Sequence, residues 1–340
     1  MSVFYPEDFK PFSSGLTNHW GSLYGSSEAL ALLEFAESQK RVLVYIAKDI
    51  AHYDEIQKAL KFFNSSIEIL DFSSWEVLAF DHFSPHPDIV SSRLETLSKL
   101  STLEAGIVIT TLETLSQKLC PIDYIDRYSL SLSAGQTLEI EPFVNKLIKI
   151  GYRRVSTVME QGEFSIKGAL IDLYPMGAKY PYRIDLFDNE IDSIRTFKAS
   201  TQRSIEVINK IKLLPAREFA SDNESILTFK SNYLSEFGNT DGFIYNEVSE
   251  GRFPGGIEFY LPLFFDKTNT LFDFLNTEPV VVYQKGLSEV MKNQSNELLE
   301  RYEHCNHSLE RLPLEINKVF LSTDEFFKLL KDKNQIQTQS

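Results

Sequence analysis

The alternation of short apolar runs with helical periodicity between about residues 25 and 120 constrains the fold of this chain most strongly. Runs with the length of buried strands occupy residues 42–47, 67–72 and 106–111. The segments between them have the spacing of amphipathic helices, at residues 26–38, 50–63 and 88–100. Such alternation builds a mostly parallel sheet covered by helices, so this part of the chain predicts an α/β lobe.

The rest of the chain contains two stretches that differ in their pattern of apolar and turn residues. One helix candidate at residues 141–150 precedes four short strand candidates with turn residues between them, at 162–168, 169–174, 181–187 and 190–197. This stretch predicts a mainly antiparallel sheet. From residue 215 onward, glycine and proline mix with a strand candidate at 279–283 and a helix candidate at 287–303, which predicts a third, mixed α/β lobe that returns to the first.

Charge and cysteine content narrow the class of function. The formal net charge of −14 repels phosphate backbones, so nucleic acid is not the expected partner. The two cysteines, Cys120 and Cys305, and the absence of a signal pattern or a long apolar run predict a reduced, cytoplasmic protein without a membrane partner. The polar residues 333–340 are interpreted as a frayed terminus or as the cut end of a longer chain.

A phosphate-binding loop would fall at Gly25, Ser26, Ser27 and Glu28, just before the first helix. A working loop needs a lysine and then a hydroxyl residue, but Glu28 and Ala29 stand at those positions. We therefore predict a non-functional, degenerate loop that forms a helix N-terminus with serine caps. No metal site, cofactor or catalytic set is predicted, because the remaining histidines lack further ligands at suitable spacing.

A candidate interaction patch comes from period-two alternation in the second stretch. In residues 181–188 alternation puts Arg183 and Phe187 on the face opposite the core, and in residues 162–168 it puts Lys167 on a similar face. If these strands are neighbours, the three side chains could share one patch. An arginine beside an aromatic ring is typical of binding hot spots. The alternative is a solvated sheet face with one isolated exposed phenylalanine.

Several segments resemble the bacterial transcription-repair coupling factor (Mfd) family. Residues 75–94 read WEVLAFDHFSPHPDIVSSRL, and the resemblance continues through 151–155, 159–164, 168–177, 181–195, 213–219 and 255–264. It implies an N-terminal module built like the repair protein UvrB. The implied parts are a degenerate P-loop ATPase-like lobe (1–127), a UvrA-binding middle domain (128–214) and a third lobe with a polar C-terminal tail (215–340).

The resemblance also implies a function. The module would recruit UvrA to stalled transcription complexes for nucleotide excision repair, without catalysis, and Lys167, Arg183 and Phe187 match the UvrA-contacting positions. RNA polymerase and DNA would be contacted only through C-terminal domains that lie further along in that family. Position 167 carries lysine where the family pattern has arginine, and lysine lacks the planar fork that grips a carboxylate.

A UvrB-like, ATP-dependent protein that binds damaged DNA is the alternative. Its first lobe would bind ATP, and the aromatic residues Trp75, Phe80 and Phe83 would stack on bases. Two features favour the recognition module instead. The phosphate-loop positions carry Glu28 and Ala29, and the formal net charge of the chain is −14. The short segment after the aromatic residues, which leaves no room for UvrB's long DNA-clamping hairpin, points the same way.

Overall fold

The computed structural model describes residues 17–63, 66–307 and 311–339. Its strands are β1 (Thr17–Trp20), β2 (Val42–Ala47), β3 (Glu68–Phe72), β4 (Gly106–Thr111), β5 (Leu130–Ser133), β6 (Arg153–Arg154), β7 (Glu163–Lys167), β8 (Leu170–Tyr174), β9 (Tyr182–Phe187), β10 (Glu190–Lys198), β11 (Arg203–Ile208), β12 (Lys210–Leu213), β13 (Val280–Gln284) and β14 (Asn334–Thr338).

The α-helices are α1 (Ser27–Gln39), α2 (Ile50–Phe63), α3 (Pro87–Leu100), α4 (Leu112–Ser116), α5 (Ile122–Tyr128), α6 (Ile140–Lys149), α7 (Asn223–Phe237), α8 (Phe243–Ser249), α9 (Leu287–Cys305), α10 (Ile316–Val319) and α11 (Thr323–Lys331). Two 3-10 helices, Ile257–Phe264 and Leu271–Phe274, lie between α8 and β13. No helix in the described ranges combines the length and the apolar content that crossing a membrane requires.

The chain divides into two compact units. The first unit takes its described residues from Met1–Asp81, Lys99–Leu119 and Asn269–Ser340, and the second from His82–Ser98 and Cys120–Thr268. The predicted α/β class with a parallel and an antiparallel sheet is confirmed. The predicted lobe boundaries near residues 127 and 214 stay a prediction.

A six-stranded parallel sheet forms the centre of the first unit, in the order β1-β14-β13-β2-β4-β3. Every residue of β2 and of β4 is buried, as expected for the central strands of a sheet covered on both faces. α1 contributes Leu32, Phe35 and Ala36 to the core beside these strands. The apolar residues of the predicted strands and helices therefore pack into one continuous core.

The interpretation of the last residues as a frayed terminus is wrong. Residues 334–338 form β14, which lies between β1 and β13 and pairs in parallel with both. Ile336 is fully buried, and Thr338 is 1% exposed. A polar strand is stable in this place because its backbone groups find partners on both edges.

A second six-stranded sheet, mainly antiparallel, forms most of the second unit, in the order β11-β10-β9-β8-β7-β6. The register aligns Ile166, Ile171, Ile184, Ile194 and Ile208 in one cross-strand row on the inner face. Cross-strand rows of β-branched residues stabilise a sheet directly. The opposite face contains the predicted interaction residues, which lie in different cross-strand rows.

Candidate functional site

Phe187 is an exposed aromatic residue among the predicted interaction residues. It ends β9 and pairs with Glu190, the first residue of β10. The two residues between them form a tight turn, in which Asp188 has a left-handed φ of 53°. Phe187 is 74% exposed. The hairpin therefore presents an apolar ring to solvent at its tip, as the alternation predicted.

Arg183 lies on the same face, but its guanidinium is already engaged. Nε and Nη2 donate to the two carboxylate oxygens of Asp172, at 2.7 and 2.9 Å. Nη1 donates to the backbone oxygen of Gln202 at 3.1 Å, and the guanidinium stacks 4.7 Å from the ring centre of Phe197. The hydrogen bond with Asp172 raises the pKa of Arg183. The expectation that Arg183 projects freely into water is wrong, since its side chain is only 19% exposed.

The face around Arg183 is covered rather than open to water. Ser165 and Asp172 are each 3% exposed. Ser165 Oγ donates to the backbone oxygen of Ser156, and Gln202 Nε2 donates to that of Val158. Segments before β7 and after β10 thus lie over this end of the sheet. Sequence reasoning missed Asp172 as the partner of Arg183, although a register model of the β8–β9 hairpin would have paired the two positions.

Lys167 shares the face, but not the immediate neighbourhood, of Arg183. β8 lies between β7 and β9, so the strands that carry these residues are not adjacent. Lys167 pairs with Leu170, which pairs in turn with Asp185. Lys167 is exposed at the end of β7. The three predicted residues therefore occupy one face of the sheet, with Phe187 and Lys167 at its open end and Arg183 toward the covered end.

The predicted phosphate-loop segment forms the start of α1 without side-chain caps. Gly25 has a left-handed φ of 55°, and Ser26 stands at the N-cap position with no hydrogen bond from its side chain. Ser27 Oγ donates to the backbone oxygen of Tyr24 at 2.9 Å instead of capping the helix. The predicted helix N-terminus is confirmed, and the predicted serine caps are wrong.

Glu28 turns inward to a buried polar cluster. Its carboxylate accepts hydrogen bonds from Thr338 Oγ1 at 2.6 Å and Gln284 Nε2 at 3.1 Å, and His52 Nε2 lies 3.6 Å away. Burial raises the pKa of Glu28, but hydrogen bonds from these groups and Tyr45 hold it below its ordinary value. A buried carboxylate therefore lies between the first turn of α1 and the carboxyl ends of β13 and β14.

Under the alternative DNA-binding hypothesis, Trp75, Phe80 and Phe83 would stack on bases, but they do not form one exposed surface. Trp75 and Phe80 are 2% and 6% exposed, and the Phe80 ring packs edge-on against Tyr302 at 5.7 Å. Phe83 is 70% exposed. Only one of the three rings is thus available for stacking on a base. Among the described residues, no group of three or more His, Cys, Asp or Glu side chains could hold a metal ion.

The chain is similar to known proteins of one family. A family model described as the UvrB interaction domain matches residues 130–219. The transcription-repair-coupling factor of Escherichia coli (strain K12) is 35% identical over 341 residues, covering 98% of this chain and 30% of that protein. The corresponding proteins of Haemophilus influenzae and Rickettsia conorii are 36% and 30% identical over 93% and 90% of this chain. The chain spans about 30% of the length of these relatives.

Proposed function

Since this chain carries the UvrB-like module of the transcription-repair coupling factor family, we propose that it is a non-catalytic recognition module that recruits UvrA to stalled transcription complexes. The exposed ring of Phe187, inside the matched UvrB interaction domain, is the observation that supports it most. An exposed aromatic residue on a rigid hairpin costs little conformational entropy on binding. In this proposal the module acts in the cytoplasm, and RNA polymerase and DNA are bound by other domains of the family.

The contact surface consists of Phe187, Lys167 and the outer edge of the Arg183 guanidinium. Phe187 supplies the apolar anchor, and Lys167 supplies an exposed positive charge for an acidic group of UvrA. Arg183 contributes mainly by holding the strand face in place, because its ion pair with Asp172 keeps that face rigid. Calorimetric titration of purified UvrA into the 340-residue chain tests the proposal, and an absence of saturable binding would contradict it.

Replacement of Arg183 by alanine is expected to reduce both stability and UvrA binding. The change leaves the Asp172 carboxylate, which is 4% exposed, without its ion pair, and this costs about 1–3 kcal/mol of unfolding free energy. Denaturant unfolding and calorimetry measure the two effects. Arg195→Ala, which changes the residue paired with Arg183 on β10, is the matched control and should leave stability nearly unchanged. Equal stability of both variants would contradict the role of the ion pair.

The alternative, ATP-dependent function makes a different prediction at Glu28. We expect no binding of magnesium-ATP by calorimetry, because the negative charge of Glu28 in the first turn of α1 would repel a phosphate. Glu28→Lys should lower the melting temperature without creating a nucleotide site, since the ammonium would replace a buried acceptor facing Thr338 and Gln284. Glu37→Lys, on the exposed side of the same helix, is the control for the charge change. Low-micromolar ATP binding or ATP turnover by the native chain would favour the alternative.

A further inference from the structure

A cavity of about 320 Å³ lies wholly within the second unit. We call it the Arg217 cavity; its wall includes Val90, Gly151, Met176, Arg217, Phe253 and Glu258. Its volume is at the lower end of the range for small-molecule sites, which is about 300–1,000 Å³. None of the residues predicted to contact UvrA lines it, so the cavity is separate from the proposed recognition surface.

Arg217 carries a guanidinium that has aromatic neighbours but no acceptor. The group lies 4.7 Å from the ring centre of Phe253 and 5.5 Å from that of Phe219. Within the described part of the chain, no oxygen atom forms a hydrogen bond or an ion pair with the guanidinium. Burial away from water lowers the pKa of Arg217. Arg217 is half-buried, and the donors of its guanidinium are available to an acceptor that enters the cavity.

The position of Arg217 is fixed by its surroundings. The aliphatic stem runs over Gly151, where an added Cβ would lie 3.1 Å from Cγ of the arginine. Gly151 also has a left-handed φ of 94°, which favours glycine. The stem therefore packs closely over Gly151, where no side chain intervenes, and the two aromatic rings lie beside the planar group. The donors are therefore presented at a defined place in the wall of the cavity.

The carboxylates in the wall are already used by other partners. Glu218 accepts from Arg93 Nε at 2.6 Å. Glu163 accepts from Arg153 at 2.7 Å and from two backbone N–H groups. Glu258 accepts from Ser84 Oγ at 2.8 Å, and burial raises its pKa. The charge of Glu258 acts on Arg217, but no carboxylate of the wall accepts a hydrogen bond from its guanidinium, so these donors can serve an acceptor that enters the cavity.

We propose that the Arg217 cavity binds a small organic carboxylate with an apolar body. The carboxylate accepts a bidentate pair of hydrogen bonds from Arg217, whose planar fork matches it. The body lies against Val90 and Met176. A doubly charged phosphate fits less well, because the wall and the Arg93 beside it hold four carboxylates against three guanidinium groups.

The proposal is tested by titrating the 340-residue chain with 3-phenylpropionate. Binding is measured by calorimetry and by ligand-observed NMR. We expect saturable binding at one site, at least tenfold weaker binding of 3-phenylpropionamide, and no binding of inorganic phosphate. Arg217→Gln should weaken 3-phenylpropionate binding at least tenfold. Arg127→Gln is the matched control, because Arg127 belongs to the same unit but forms an exposed ion pair with Glu224 away from the cavity.

Three results would overturn the proposal: no saturable binding of 3-phenylpropionate to the native chain, equal binding of the amide, or equal binding by a folded Arg217→Gln variant. The comparison of acid with amide uses the native chain alone, so it decides the question even if Arg217→Gln does not fold. Tighter binding of phosphate than of 3-phenylpropionate would also contradict it, because the site would then be a general anion site.

Discussion

Replacement of Phe187 by alanine is expected to weaken UvrA binding by about 30-fold or more, with little change in melting temperature. An aromatic hot-spot residue contributes about 2 kcal/mol or more, and about 1.4 kcal/mol corresponds to a tenfold change in affinity. The ring is 74% exposed, so its removal opens no cavity in the core. Calorimetric titration with UvrA measures the first effect and thermal denaturation the second.

Phe62→Ala is the matched control for this variant. Phe62 is 82% exposed but belongs to α2 in the first unit, outside the matched UvrB interaction domain. Its replacement should leave UvrA binding unchanged. If Phe187→Ala binds UvrA as tightly as the native chain, the surface is assigned to the wrong residues. If Phe62→Ala causes the same loss, the contact depends on general hydrophobicity rather than on the hairpin.

Replacement of Arg93 by methionine is expected to destabilise the second unit by about 3–5 kcal/mol, the cost of breaking a buried ion pair from one side. Arg93 Nε and Nη2 donate to the two oxygens of Glu218 at 2.6 and 3.2 Å. The two side chains are 0% and 3% exposed, so the change removes the buried counter-charge of the Glu218 carboxylate. Urea unfolding followed by circular dichroism measures the loss.

Two further variants identify the cause of that loss. Arg127→Met removes an ion pair with Glu224 whose side chains are 59% and 75% exposed, and exposed pairs contribute about 0–1 kcal/mol. The double variant Arg93→Met with Glu218→Leu removes both buried charges and should be more stable than Arg93→Met alone. A loss in Arg93→Met no larger than that in Arg127→Met would contradict the assignment.

The sequence by itself determined several of the local elements and the face on which Phe187 lies. The apolar runs gave the full extent of β2 and β4, and the same bounds were predicted for α2. Alternation placed Phe187 on the solvent side of β9, where the structure has it. These features are encoded within about ten residues, since the periods of helix and strand depend only on neighbouring positions.

Only the tertiary structure decided which distant residues meet. β14 is polar and has no strand pattern, yet it is a central strand because β1 and β13 satisfy both of its edges. Arg183 is held by Asp172 because β8 lies beside β9, and the carboxylate of Glu28 is satisfied by Thr338, 310 residues further along the chain. Such contacts depend on strand order and register, which the spacing of residues along the chain does not specify.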